Sequence, residues 1–198
     1  MTWCKWIIAG TLLGAALQAL ALQAQAADPS PAPLWGYLSV VPPTETAADV
    51  SAFAGSRLSI VQAIDEAGKA HNGCVIEIGF VRWHDTLSYA ATLGAPDGLH
   101  YVHVDPRTGA VSKGDRKDVP RDELDPQGLR DLATIGSAEI GLAQAVNSAE
   151  KVTGGRAIAA GVEQLGGIPQ YYVQTVNKRK LDAVIVDPRT GHAARPLQ

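Results

Sequence analysis

Hydrophobic positions recur with helical spacing in two segments of the chain that lie 82 residues apart (141 − 59). In the first segment Ser59 and Gln62 form the two halves of a capping box, and the apolar stripe that follows consists of Ile60, Val61, Ile64 and Ala67. In the second segment Gly141 precedes Gln144, and the apolar stripe consists of Leu142, Ala143, Val146 and Ala149. Glycines at 73 and 155 are typical of helix ends, so the pattern predicts one amphipathic helix in each segment.

Each predicted helix is followed by three short apolar runs that are typical of β-strands. The runs are 76–80, 88–93 and 99–104 in the first segment, and 158–162, 170–175 and 181–186 in the second. Only short turns separate consecutive runs, and a parallel crossover needs a dozen residues or more. The strands are therefore predicted to be antiparallel.

The two segments are similar in sequence as well as in pattern. The hexapeptide Val-Asp-Pro-Arg-Thr-Gly stands at 104–109 and again at 186–191, and residues 58–109 share 16 of 52 residues with 140–191. Aspartate, proline and glycine at these positions predict a tight turn. The expected fold class is therefore α+β, with two tandem modules that each pack one helix on a three- or four-stranded antiparallel sheet.

The N-terminal region has the pattern of an export signal. Lys5 precedes an apolar stretch from Ile7 to Leu22, and Ala24-Gln25-Ala26 resembles a cleavage site. Cleavage would remove Cys4 and leave Cys74, whose strand position predicts burial. The apolar stretch is shorter than the roughly 20 residues of a membrane span. We therefore expect an exported protein, periplasmic or secreted, with no membrane span after cleavage.

These observations divide the chain into six segments. They are a signal peptide (1–26), a proline-rich leader (27–57), a first repeat (58–111), a charged connector with a short helix beginning at Asp125-Pro126 (112–139), a second repeat (140–193) and a tail (194–198). The chain carries 17 lysines and arginines against 20 aspartates and glutamates, a formal net charge of −3. This balance argues against a broad nucleic-acid-binding surface.

The order and spacing of several residues resemble the PepSY domain family. In the first repeat these residues are Gln62-Ala63, Gly73, Ile76 to Phe80, Tyr89, and Val102 to Asp105 before Thr108-Gly109; in the second they are Gln144-Ala145, Gly155, Tyr171, and Val184 to Asp187 before Thr190-Gly191. The resemblance implies a small helix-on-sheet module found outside the cytoplasm, sometimes in propeptides that restrain a metalloprotease. It implies no catalytic residues, and this chain has no H-E-x-x-H motif.

The sequence nominates no catalytic residue, cofactor or metal ligand. His100 and His103 are three residues apart, which places them on opposite faces of a strand. No phosphate-binding glycine motif or G-x-S-x-G is present. A Ser–His–Asp arrangement stays open, since residues distant in sequence can meet in the fold. The expectation is a protein that is not an enzyme.

Five aromatic residues form the candidate binding surface: Trp83, Tyr89, Tyr101, Tyr171 and Tyr172. The repeats diverge at Trp83 and Tyr101, where a specific surface could arise. The basic turn Lys178-Arg179-Lys180 is interpreted as solvation and edge protection rather than as a site for an anion. The expected function is binding of a protein partner, such as an extracytoplasmic peptidase that the protein restrains. The alternative is an envelope module that binds a small ligand or a metal ion.

Overall fold

The computed structural model describes residues 47–83 and 85–196, with the side chains of 47–49 and 83 excepted. The predicted signal peptide and residues 27–46 of the leader lie outside the described residues. The helices are α1 (Ala47–Ala54), α2 (Ile60–His71), α3 (Pro126–Ser137) and α4 (Leu142–Thr153). The strands are β1 (Cys74–Trp83), β2 (Thr86–Ala95), β3 (Gly98–Val104), β4 (Val111–Lys113), β5 (Val119–Pro120), β6 (Arg156–Leu165), β7 (Ile168–Asn177), β8 (Lys180–Val186) and β9 (Ala193–Ala194).

Local sequence signals place most of these elements where they were predicted. The Ser59 hydroxyl accepts a hydrogen bond from the Gln62 amide at 3.2 Å, and the Gln62 side chain accepts one from the Ser59 amide at 2.9 Å. Asp125 caps α3 by accepting a hydrogen bond from the Gly128 amide at 2.7 Å. The capping box of α2 and the connector helix are therefore confirmed. Helix α1, within the predicted leader, is an element that the sequence analysis did not foresee.

The repeated hexapeptide forms the same turn twice. The Asp105 carboxylate accepts hydrogen bonds from the amides of Arg107 and Thr108, both at 2.8 Å. The Asp187 carboxylate does the same with Arg189 and Thr190, at 2.7 and 3.1 Å. These backbone amides hold the pKa of both carboxyl groups below the usual range, because they stabilise the ionised form.

The predicted fold class is wrong in its division into two modules. All nine strands of the described residues belong to one antiparallel sheet, in the order β4-β3-β2-β1-β6-β7-β8-β9 with β5 also pairing β3. The sheet is continuous because β1 pairs with β6, with Ile78 opposite Ala160 at the centre of the contact. This pairing removes two strand edges that separate modules would have exposed, and it lets both halves share one hydrophobic core.

The helices lie on both faces of the sheet. Helices α2 and α4 pack side by side on one face, over a core that includes Ile78, Phe80 and Leu93. Helix α3 lies on the opposite face, since Leu132 packs over the position where Gly94 would carry a Cβ. None of the α-helices in the described segments has the length and hydrophobicity that a membrane span requires.

Asp131 on α3 makes stability depend on pH. Burial raises the pKa of its carboxyl to about 6, and the Gln127 side chain donates a hydrogen bond to it at 2.7 Å. Because the folded pKa exceeds the unfolded one, this group makes the protein less stable as pH rises from about 4 to about 6.

We predict that Asp131→Asn raises the free energy of unfolding by about 1 to 2 kcal/mol at pH 7.5, after discounting for partial solvent exposure, and leaves it unchanged near pH 4. Asparagine keeps the acceptor for Gln127 and removes the charge. Urea unfolding at both pH values measures the effect, with the exposed Asp122→Asn as the control. An equal gain at the two pH values would contradict the prediction.

Candidate binding site

Two of the five aromatic candidates are structural. Tyr89 and Tyr171 are fully buried, and their hydroxyl groups donate hydrogen bonds to the carbonyl oxygens of Leu58 at 2.7 Å and Ile140 at 2.9 Å. Each tyrosine therefore holds the segment that leads into the helix of its own half. Neither can contribute to an exposed binding surface.

The other three aromatic candidates do not form one cluster. Trp83 is the last residue of β1, and its side chain lies outside the described part of the chain. Tyr101 and Tyr172 lie on the sheet face that carries α3, but on β3 and β7, which are four strand spacings apart. At about 4.8 Å per spacing they are separated by roughly 19 Å. The structure does not bring the predicted surface together.

Cys74 is half-buried and packs against the core. It is disulfide-bonded in the structure, and the other cysteine of the sequence, Cys4, lies outside the described residues. The prediction of a buried free thiol is therefore wrong for this structure, in which Cys74 is half-buried and disulfide-bonded.

His103 links a hydroxyl group to a carboxylate. Its Nδ1 lies 2.8 Å from the Ser88 hydroxyl and its Nε2 lies 2.8 Å from the Asp115 carboxylate. The three groups have the composition of a catalytic triad. A nucleophile must present its oxygen to a substrate, however, and Ser88 is only 7% exposed within a regular strand. We interpret the chain of contacts as a link between β2, β3 and the connector.

His100 makes a second link to the connector, from the opposite face of β3. Its Nε2 lies 3.0 Å from the Asp97 carboxylate and its Nδ1 lies 3.3 Å from that of Asp118. Burial lowers the pKa of His100, but the two carboxylates outweigh burial and leave the pKa above its ordinary value. The ring also stacks on His71, with 5.0 Å between centroids. Within the described ranges, no group of three or more His, Cys, Asp or Glu residues is arranged to hold a metal ion.

The connector covers the outer edge of β3 along its length. Strand β4 pairs with the end of β3 and β5 pairs with its start. Between these strands, the Tyr101 amide donates a hydrogen bond to the Asp118 carboxylate at 3.4 Å, and the Tyr101 carbonyl accepts one from the Gly114 amide at 2.6 Å. The backbone groups of this edge are therefore satisfied by the chain itself.

The outer edge of β8 occupies the corresponding place in the second half, and within the described residues most of it has no strand beside it. Strand β9 pairs only with Ile185 and Val186, and no other strand of the described residues pairs with the outer side of β8. Residues 180–184 are called the β8 edge below. Alternation along the hairpin directs the backbone groups of Leu181 and Ala183 outward. The Ala183 amide donates to the Asp182 carboxylate at 2.9 Å, a local contact that a partner strand could replace.

A cleft lies between α1 and the turn that joins β7 to β8. Its volume is about 420 Å³, within the range of small-molecule sites. We call it the cationic cleft; it is lined by Val50, Ser51, Phe53, Ala54, Arg156, Val176, Lys178 and Arg179. The Arg156 guanidinium lies over the Phe53 ring, 4.8 Å from its centroid, and donates a hydrogen bond to the Ser56 hydroxyl at 3.2 Å.

Sequence reasoning missed the cleft because its residues come from three distant segments. Only the basic turn gave a signal, and it was interpreted as solvation. The β8 edge had no local signal, because whether a strand edge is covered depends on which distant segments pair with it.

Comparisons with known proteins leave the family unassigned. No protein-family model matches the sequence, and no curated protein matches it. A solved structure from Clostridium difficile 630, described as a “putative lipoprotein”, is similar over 71% of this chain and 92% of that chain, with 12% sequence identity and a TM-score of 0.44.

Proposed function

We propose that this protein acts by binding a partner protein, and that an extended segment of the partner adds to the sheet at the β8 edge. The observation that carries the proposal is that no strand of the described residues pairs with the outer side of β8 at residues 180–184. An exposed sheet edge binds an extended peptide through backbone hydrogen bonds, and neighbouring side chains provide specificity. Such a protein works by contact and needs no catalytic group.

The first half of the chain shows how the added strand would lie. There, the connector runs antiparallel along β3 and satisfies both backbone groups of Tyr101. Ala183 stands 82 residues after Tyr101 (183 − 101) and at the same distance from its hairpin turn. An antiparallel segment of the partner would make the equivalent contacts with Leu181 and Ala183.

Charge at the β8 edge favours a segment with acidic residues. Lys180 begins the edge, and its side chain is exposed. Asp182 is already paired with Arg195, at 2.8 Å from its Nε. An acidic residue of the partner opposite Lys180 would therefore be attracted to it, whereas a basic residue there would be repelled.

The proposed setting is outside the cytoplasm. Its support is the signal-peptide pattern, which consists of Lys5, the apolar stretch 7–22 and Ala24-Gln25-Ala26. The resemblance to PepSY modules makes a peptidase one class of partner to test. If the partner is a peptidase that the protein restrains, adding the purified protein should lower the peptidase activity, and an activity assay measures this directly.

Ala183→Pro tests strand addition. Proline removes the outward amide of an edge strand and leaves the bonds from β8 to β7 in place. The immobilised protein is exposed to a cell-envelope extract of its source organism, and retained proteins are quantified by mass spectrometry. We expect a specific partner whose retention falls at least tenfold with Ala183→Pro. Hydrogen exchange on the purified complex should show new protection of the Leu181 and Ala183 amides.

Ala183→Val is the matched control, because it enlarges the same side chain and keeps the amide. It should retain the partner, and circular dichroism should show both variants folded. Equal retention by Ala183→Pro, absence of amide protection at 181 and 183, or the lack of any reproducibly retained protein would overturn the proposal.

A further inference from the structure

We infer that the cationic cleft binds a small amphiphile with an anionic head group, such as a single-chain carboxylate. The head would lie among Arg156, Lys178 and Arg179, and the apolar body would lie against Ala54 and Val176. The cleft is lined by α1, by Arg156 of β6, by Val176 of β7 and by the turn residues Lys178 and Arg179, and the outward backbone groups of β8 take no part in it. The inference therefore does not depend on the proposed function.

The first argument is uncompensated positive charge. Arg156, Lys178 and Arg179 line one cleft, and none of them forms an ion pair with an acidic group of the described residues. One oxygen of the nearby Glu150 carboxylate is engaged with the Ala157 amide at 2.7 Å. Cations gathered in a cleft attract an anion and gain more from it than scattered surface cations do.

The second argument is the backbone of the turn. Lys178 and Arg179 have φ angles of +46° and +69°, a left-handed conformation that hairpin turns ordinarily assign to asparagine and glycine. The β6–β7 turn of the same sheet uses Gly166 and Gly167 for it, at +59° and +81°. Two long cationic side chains at strained positions point to a role that a relaxed turn would not fulfil.

The third argument is the apolar wall. Ala54 is exposed and Val176 is half-buried, and both line the cleft beside Val50 and Phe53, which are themselves buried at 6% and 2% exposure. The Phe53 ring packs edge-on against Phe80, 5.4 Å between centroids, so the wall is anchored in the core. A hydrated inorganic anion would leave this wall unused, whereas an alkyl chain would cover it.

The test uses isothermal titration of the purified protein with dodecanoate, acetate and dodecyltrimethylammonium. Dodecanoate has both the negative head group and the alkyl chain. Acetate lacks the chain, and dodecyltrimethylammonium has the chain but a positive head group. We expect dodecanoate to bind below its micellar concentration, at least tenfold more tightly than either of the others. Raising the salt concentration from 50 to about 500 mM should weaken it, because the head-group attraction is screened.

The double substitution Lys178→Asn and Arg179→Gly separates binding from folding. It should weaken the binding of dodecanoate at least tenfold. It should also raise the melting temperature of the protein by about 2 to 4 °C, since Asn-Gly suits the turn. Arg156→Gln should weaken the binding of dodecanoate as well. The matched control is Lys180→Gln, which alters a cation of the same turn that does not line the cleft, and it should leave binding unchanged.

Several results would overturn the inference. They are equal binding of dodecyltrimethylammonium, equal binding of acetate, unchanged dodecanoate affinity in the double variant, or an equal loss in Lys180→Gln.

Discussion

Replacing Phe80 by alanine is expected to lower the free energy of unfolding by about 3 to 5 kcal/mol. The Phe80 side chain is 1% exposed, and its ring contacts those of Phe53 and Tyr89 edge-on, each at 5.4 Å between centroids. Alanine would leave a cavity where α1, β1 and β2 meet. Because β1 lies at the centre of the sheet, the surrounding strands cannot collapse to fill it.

Urea unfolding followed by circular dichroism measures this effect, and Val162→Ala is the matched control. Val162 stands 82 residues after Phe80 (162 − 80) and is 8% exposed. Val162→Ala should lower the free energy of unfolding by only about 2 kcal/mol, because fewer buried carbons are lost. We expect one cooperative transition in both variants, since the halves share a sheet and a core. A separate transition for each half would contradict this account.

Gly98→Ala is the second change with a large expected effect, about 3 kcal/mol of lost stability. Gly98 has a φ of +147°, and a Cβ there would overlap the Val119 carbonyl oxygen and lie 3.0 Å from the Pro120 Cα. These neighbours are backbone atoms of β5, so they cannot give way without breaking the pairing with β3.

Gly166→Ala separates the two contributions to that cost. Gly166 also has a positive φ, +59°, but nothing lies within 4 Å of its Cβ position. Gly166→Ala should therefore lower the free energy of unfolding by only about 1 kcal/mol, which is the strain of an alanine in the left-handed conformation. Thermal and urea unfolding of the two variants give the comparison. Similar costs would show that β5 yields easily and that the overlap at Gly98 is unimportant.

Part of the side-chain arrangement could be predicted from the sequence. The opposite placement of His100 and His103 followed from strand parity, and the structure confirms it, with one ring beside Asp118 and the other beside Asp115. The basic turn was identified but assigned to solvation. Its place in a cleft depends on Phe53 and Arg156, which come from the unforeseen α1 and from the start of β6.

The tyrosines show the limit of an argument from residue type. Tyr89 and Tyr171 were predicted to belong to the candidate binding surface as aromatic residues. The same hydroxyl that can bind a partner can also satisfy a buried carbonyl, and here it does so at Leu58 and Ile140. Which of these it does depends on what packs above the ring.

The sequence by itself determined the helices α2, α3 and α4, the starts of these helices, the hairpin strands and the Asp-Pro-Arg-Thr-Gly turns. These features depend on contacts between residues a few positions apart, such as Ser59 with Gln62 and Asp105 with Thr108. Only the tertiary structure decided that two similar halves form one sheet, because pairing Ile78 with Ala160 joins residues 82 positions apart through backbone groups that every residue carries. The open β8 edge and the cationic cleft follow from that assembly, since both depend on which distant segments cover a strand or a turn and which leave it exposed.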